Sequence, residues 1–183
     1  MRIIAGDCRG RIFKAPEGMD TRPTLDRVRE AIFGMVQFEV FGRVALDLFA
    51  GSGGMGLEAL SRGAKRVVFC DVAFNCVSII KENLKSLGLK GEVYRSDFQD
   101  MLKSLKRKNE RFDLIFLDPP YAAGYVAEAL LLIASLELLN DGGTIILEHD
   151  PGLLVCMPEG FCAVKTKKYA AAAVTLIRKA ELT

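Results

Sequence analysis

The residues with the most chemical content stand at the ends of short apolar runs. Phe112-Asp-Leu-Ile-Phe-Leu117 leads straight into Asp118-Pro119-Pro120-Tyr121. Two prolines directly after a buried strand expel the chain from the sheet and fix its backbone. Neither proline has an N–H, so the corner offers carbonyl oxygens, one carboxylate and an aromatic ring. Such a corner accepts hydrogen bonds from an amino group and stacks on a flat ring; it neither donates protons nor holds phosphate. Asp47, Asp71 and Asp97 recur in the same setting, each at or just after the end of an apolar segment. One acid at a strand end is commonly a cap, but four successive ends describe a rim. Asp71 follows the Gly-rich turn by about 20 residues, the spacing at which a carboxylate meets both hydroxyls of a ribose. Asp97, after the next strand, would accept from an adenine amino group. His149 is the single histidine. It has no cysteine pair to complete a metal site and no serine or cysteine elbow for hydrolysis. Two readings of it are open, a cofactor-facing residue or a plain loop residue.

These residues need a sheet to bring them together. Val44 to Ala50 reads as a buried parallel strand that breaks into Gly51, Gly53, Gly54 and Gly56 before Leu57-Glu-Ala-Leu60 resumes at helical spacing. Strand, Gly-rich turn and helix N-terminus form the usual device for a nucleotide-like ligand in a doubly wound sheet. Gly51 is expected to allow the turn, and Gly53 and Gly54 to let the backbone approach the ligand. An acid inside the pattern, Asp47, suits a cationic or polyhydroxyl ligand better than a pyrophosphate. Further strands are expected at Arg66–Asp71, Gly91–Arg95, Phe112–Asp118 and Thr144–Glu148, with two more at Phe161–Lys167 and Ala172–Arg178. Helices fall at Asn75–Leu87, closed by Gly88, then through Met101 and Leu105, and at Tyr125–Leu139, before a turn at Asn140–Gly143. The expected fold is α/β: a doubly wound, seven-stranded, mostly parallel sheet with helices on both faces and an N-terminal β-hairpin extension.

The chain of 183 residues is long enough for one well-buried core. Half of its residues are hydrophobic and 26% are charged, which excludes wholesale disorder. Five cysteines without a C-x-x-C pair read as reduced thiols, mostly buried, in a cytoplasmic protein. The N-terminus lacks the apolar core of a signal peptide, and no run is long enough to cross a membrane. Residues 1–22 read as the hairpin extension and 23–183 as the main domain. Seven bases, Arg2, Arg9, Arg11, Lys14, Arg22, Arg27 and Arg29, face four acids in the first 29 residues, a modest positive arm. Pro23 precedes a helix with Thr24 as N-cap and Arg27–Phe38 as its body. The cluster Lys103, Lys106, Arg107 and Lys108 reads first as a solvated helix end favoured by the dipole, with nucleic-acid contact as the alternative.

Several motifs together carry a resemblance to a known family. They are Arg2-Ile-Ile-Ala-Gly6, Gly10, and the run from Thr21 to Phe33 with its Arg22-Pro-Thr24 and Arg27-Val-Arg-Glu-Ala31. Asp47-Leu-Phe-Ala-Gly-Ser-Gly53, Gly56, Glu58-Ala59, Ser61-Arg-Gly63, Asp71 and Asp118-Pro-Pro-Tyr121 complete the set. The chain resembles class I methyltransferases that use S-adenosylmethionine (SAM). More narrowly it is similar to the RsmD family, which methylates the exocyclic N2 of one guanine in bacterial 16S ribosomal RNA. The resemblance spans nearly the whole chain. It implies SAM as cofactor, held by Asp47, Phe49, Gly51, Ser52, Gly53, Gly56, Asp71, Val72, Asp97 and Phe98. It implies catalysis by Asp118, Pro119, Pro120 and Tyr121, with the target base stacked on Tyr121. The basic arm would hold RNA phosphates, and the partner would be 16S rRNA within a small-subunit assembly particle. A monomer without metal and without membrane contact is expected. One departure from the family pattern is Lys168-Tyr-Ala-Ala-Ala-Ala173, where relatives carry tyrosine-glycine, a polar residue and threonine. Competing readings are an adenine-N6 methyltransferase acting on DNA, a non-catalytic nucleotide- or RNA-binding protein, and a small NAD oxidoreductase. The first lacks room for a target-recognition domain, and the last lacks a tyrosine–lysine pair.

Overall fold

The computed structural model describes residues 1–15, 23–120, 124–170 and 172–180. Its elements run α1 (Pro23–Met35), β1 (Val44–Asp47), α2 (Gly54–Ser61), β2 (Arg66–Asp71), α3 (Phe74–Leu87), β3 (Glu92–Arg95), α4 (Phe98–Arg107), β4 (Phe112–Leu117), α5 (Tyr125–Ser135), β5 (Leu139–His149), β6 (Phe161–Lys168) and β7 (Ala173–Lys179). The seven strands form one sheet in the order β3-β2-β1-β4-β5-β7-β6. β7 runs antiparallel to both of its neighbours, and the remaining pairs are parallel.

Alternation along the strands divides the core in two. Ala45, Val67, Phe69, Leu114, Phe116 and Ile146 face α1, α2 and α3. Their neighbours Leu46, Val68, Cys70, Ile115, Leu117 and Leu147 face α4 and α5. Because successive side chains point to opposite faces, strands apolar throughout must be covered on both sides. That is the expected doubly wound arrangement, and the order reverses between β1 and β4, where the sheet has its switch point.

Several boundaries differ from expectation. β1 stops at Asp47; the next residues stay tied to the sheet only by Leu48 N–H to the Phe116 carbonyl and Ala50 N–H to the Cys70 carbonyl. α1 starts at Pro23, whose missing N–H costs nothing in a first turn, so Thr24 lies inside the helix rather than capping it. α5 ends at Ser135, and Glu137 takes a left-handed φ of 56° to turn the chain. Residues 140–143 belong to β5 itself, whose register against β4 shifts between Phe112 and Leu114.

The N-terminal segment pairs with itself through one antiparallel bridge, Arg2 to Ile12. Its hold on the rest is much stronger. Ile3, Cys8 and Phe13 are buried among the residues of α1, α2 and α3. The fully buried Glu58 carboxylate on α2 accepts Ile4 N–H at 2.8 Å and Ala5 N–H at 3.0 Å, while Arg62 Nε donates to it at 2.8 Å. Ser61 adds a donated bond to the Ala5 carbonyl and an accepted one from Cys8 N–H. The five cysteines are free, three buried and two exposed. No described helix is long and apolar enough to cross a membrane.

Candidate functional site

Each parallel strand delivers an acid to the same edge of the sheet. Asp47 ends β1, Asp71 ends β2, Asp97 follows β3, Asp118 follows β4 and Glu148 comes one residue before the end of β5. Asp47 and Asp118 flank the switch point, where a crevice forms because the connections leave in opposite directions. Asp47 is buried, and its Oδ2 accepts Gly56 N–H at 2.9 Å near the start of α2. Burial, reinforced by the charges of Asp118 and Asp71, raises its pKa from 3.8 to about 7. Asp71 braces the Gly-rich turn: Oδ2 accepts Gly51 N–H and Oδ1 accepts Ala73 N–H, both at 2.8 Å. Asp97 caps α4 by accepting Gln99 N–H at 2.8 Å. Three of the acids therefore brace the loops that form the crevice as well as facing it.

Asp118 is open to solvent, yet the protein mass around it desolvates the carboxyl and raises its pKa. Glu148 is raised as well, by burial first and by the Asp118 charge second. The two are neighbours across the sheet, since Leu117 pairs with Leu147 immediately before them. No ion pair among the described residues reaches Asp47, Asp71, Asp118 or Glu148. A row of carboxylates, with Asp47, Asp118 and Glu148 desolvated and no cation paired to them among the described residues, fits a ligand that brings positive charge and hydroxyl donors. SAM, with its sulfonium, ammonium and ribose, is such a ligand.

The Gly-rich turn is shaped differently from expectation. Gly51 holds φ at 52°, and a Cβ there would meet nothing within 4 Å, so its backbone faces the open crevice. Gly53 and Gly54 face protein instead: a Cβ would come within 3.1 Å of Ile80 at the first and 3.2 Å of Arg29 at the second. Gly56 lies against the Phe69 ring, which an added Cβ would strike at 2.1 Å. Close helix–sheet packing requires glycine at Gly56, and a left-handed φ of 81° favours it at Gly53. Ser52 is buried and turns its hydroxyl to Met1 Sδ at 3.4 Å, away from the crevice.

An aromatic group walls the far end. Phe98 is buried between Phe49 (ring centroids 5.3 Å apart) and Tyr125 (5.8 Å, edge-on). Phe98 thus braces the wall, while Phe49 and the half-exposed Tyr125 retain free surface. Val72 is exposed at the end of β2, next to Phe74, over whose ring the Arg95 guanidinium sits at 5.8 Å. Pro119, Pro120, Val126, Glu148, Leu153 and Val155 are among the residues lining a recess of about 120 Å³ beside the Pro-Pro corner. Tyr121 lies outside the described residues, as does Arg22.

The bases of the N-terminal arm separate into two sets. Arg2, Arg9 and Arg27 line a groove of about 500 Å³ between the N-terminal segment and α1, together with Asp26 and Glu30. Arg11 instead donates to the Leu87 carbonyl at 2.7 Å and to the Ser86 carbonyl, closing the end of α3. Lys14 pairs with Glu82 at 2.9 Å. Arg29 is buried, donating to the Arg2 carbonyl and to Asp26, so it cannot reach a phosphate without unpacking α1. His149 also lines the recess beside the Pro-Pro corner, but both of its ring nitrogens are engaged within the protein. It is buried between the Asp150 carbonyl at Nδ1 and the Thr175 hydroxyl at Nε2.

Sequence reasoning missed Glu148 and Tyr125. Glu148 carried the same signal as the four aspartates, an acid where an apolar strand stops, but reading the strand as ending on it and His149 as the next feature hid that. Tyr125 gave no signal beyond opening an apolar helix.

A family model described as conserved hypothetical protein 95 matches residues 1–178. The Bacillus subtilis protein YlbH is 44% identical over 152 residues, covering 82% of this chain and 83% of its own. Ribosomal RNA small subunit methyltransferase D of Haemophilus influenzae is 34% identical over 169 residues, covering 91% and 88%. Among solved structures, the T. thermophilus 16S rRNA N2-guanine methyltransferase RsmC, in complex with AdoMet and guanosine, superposes with a TM-score of 0.67 at 26% identity. That match covers 90% of this chain and 45% of the other.

Proposed function

This chain belongs to the RsmD family of class I SAM-dependent rRNA methyltransferases, and we propose that its Asp118 corner carries the chemistry of that family. The protein is an enzyme that transfers a methyl group from SAM to the exocyclic N2 of a guanine in 16S rRNA. The observation that supports the residue assignment is the Asp118 carboxylate, which no ion pair among the described residues reaches, at the switch-point crevice next to Pro119 and Pro120.

Asp47, Asp71 and the Gly51 backbone hold the ammonium, ribose and methionine end of SAM, with Asp97, Phe49 and Val72 around the adenine. When bound, SAM supplies an electrophilic methyl on a sulfonium, already a good leaving group. A guanine N2 lone pair is delocalised into the ring and attacks poorly. Asp118 and the Pro119 carbonyl each accept one N2–H, which turns that lone pair toward the donor, and the Tyr121 ring stacks on the base. Positioning and electrostatics of this kind are worth several kcal/mol, on the order of 10³-fold in rate or more. The proton lost from N2 passes to the Asp118 carboxylate, whose raised pKa suits an acceptor near neutral pH.

A base reaches this corner only after leaving its stack, which costs least in a single-stranded or loop segment. The groove of Arg2, Arg9 and Arg27 holds the flanking phosphates. The substrate is 16S rRNA in a small-subunit assembly particle in the cytoplasm, and the enzyme acts as a monomer. Asp118→Ala tests the assignment: methyl transfer to subunits lacking the mark falls by about 10³-fold or more while SAM affinity stays within about 2-fold. Retained activity would remove Asp118 from the mechanism.

A further inference from the structure

The Asp-Pro-Pro corner accounts for an amine but not for a guanine. Its acceptors take the two hydrogens of an exocyclic NH₂, and adenine N6 offers those as well as guanine N2 does. The difference lies at the adjacent ring atom. Guanine N1 carries a hydrogen, whereas adenine N1 carries a lone pair. A site that selects guanine therefore needs a second acceptor beside the one that holds the amine.

Glu148 stands in that place. β4 and β5 are paired in parallel through Leu117 and Leu147, so Asp118 and Glu148 leave adjacent strands at the same level. Glu148 lies within β5 one residue before its end, and Asp118 is the first residue after β4, so the two stand side by side where the sheet stops. Glu148 also lines the recess behind Pro119 and Pro120, whose walls are mainly apolar: Val126, Leu153, Val155 and the prolines. Its charged surroundings are few. Val174 lies opposite it on β7, His149 is turned to Thr175, and Asp150 is folded onto Gly152 N–H at 2.7 Å. Asp118 is the charged neighbour that acts on it. No described hydrogen bond or ion pair within the protein occupies the Glu148 carboxyl, although the group is half-buried.

We propose that Glu148 accepts the N1–H of the target guanine while Asp118 holds an N2–H, making Glu148 the residue that selects guanine over adenine. This rests on the Asp118 assignment above. Two carboxyls that repel each other in the empty site are both relieved by the adjacent N1–H and N2–H donors of one guanine edge. Adenine would set its N1 lone pair against a carboxyl oxygen. Glu148 keeps an acceptor oxygen whether ionised or protonated, so the selection does not depend on its charge. Burial makes the mismatch costly, since a pocket built to bond a polar group rejects analogues that lack it.

The test uses reconstituted small-subunit particles carrying either guanine or 2-aminopurine at the modified position. The analogue keeps the amino group, replaces N1–H by a lone pair and lacks O6, so the N1 contact is read from how the Glu148 variants change the preference and not from the preference alone. Wild-type enzyme is expected to prefer guanine by about 10²-fold or more in kcat/KM. Glu148→Gln, isosteric and able to donate to the analogue, should cut that preference at least 10-fold with SAM affinity unchanged. Glu148→Ala should cut it too, by losing guanine while sparing the analogue. An unchanged preference, or an equal loss on both particles, overturns the role of Glu148 and leaves the Asp118 assignment standing. Failure of the wild-type enzyme on both particles, with SAM bound, would instead sink the functional reading itself.

Discussion

Asp47 serves the fold, and in the proposed mechanism the ligand as well. It anchors the start of α2 through Gly56 N–H, yet burial raises its pKa to about 7. A folded-state pKa above the unfolded value means that the folded chain binds the extra proton between roughly pH 4 and pH 7. The favourable contribution is complete below the unfolded pKa and is lost as pH rises through about 7, so the ligand-free enzyme carries a strained anion above that point. A cationic ligand needs that anion. SAM affinity is therefore expected to weaken as pH falls from about 8 to about 6, and Asp47→Asn should flatten the profile and weaken binding at about pH 8 by roughly 10-fold. The ligand-free Asn variant should also melt a few degrees higher at that pH. Calorimetric titration at several pH values reads the first effect, and a wild-type affinity that stays flat would contradict the role given to Asp47. The acids at strand ends were legible because their position relative to an apolar run reports which edge they reach. Arg29 was not, because sequence displays a charge without its burial.

The N-terminal segment and α1 show the same limit one level up. A count of seven bases near the N-terminus suggested a uniform positive arm, but folding gives them different partners. Arg11 is committed to the carbonyls that end α3, Lys14 to Glu82, and Arg29 to the interior, while Arg2, Arg9 and Arg27 share an open groove. The spacing that put Arg29 inward is the helical one: Val28, Ile32, Phe33 and Val36 bury the face of α1 on which Arg29 also lies. RNA affinity should accordingly depend on the groove and not on the total charge. Replacing Arg9 and Arg27 by alanine together is expected to lower the salt dependence of RNA binding by about 1.5 to 2 in log–log slope, with SAM affinity unchanged. Arg11→Ala should leave that slope alone and instead weaken the end of α3. Binding isotherms at a series of salt concentrations separate the two, and an undiminished slope in the double variant would place the RNA path elsewhere.

At the scale of the whole molecule, the alternation of apolar strands and helices prefigured the sheet, its mixed C-terminal hairpin and the edge at which the acids gather. Periodicity reports which faces are buried, and right-handed crossovers leave few ways to connect them. Local boundaries were less legible: β5 absorbed residues 140–143, which read as a turn from composition, because pairing with β4 outweighed the preference of Asp141, Gly142 and Gly143 for loops. Where the N-terminal segment belongs depends on contacts far apart in sequence, and a 22-residue arm of bases and glycines does not announce them. Ile3 and Phe13 are almost completely buried, and each is worth about 2 kcal/mol on burial. Glu58 is buried with two of its accepted hydrogen bonds coming from Ile4 and Ala5, so removing them would leave its carboxylate short of partners. The losses together approach the whole stability of an ordinary domain, about 5–15 kcal/mol. Deleting residues 1–15 is therefore expected to abolish cooperative unfolding near the wild-type midpoint and, with it, SAM binding. A detachable RNA-binding extension predicts the opposite result, an unchanged melting curve and SAM affinity with RNA binding alone lost. Calorimetry of the truncated chain, with and without SAM, decides between an arm attached to the enzyme and a segment that completes its core.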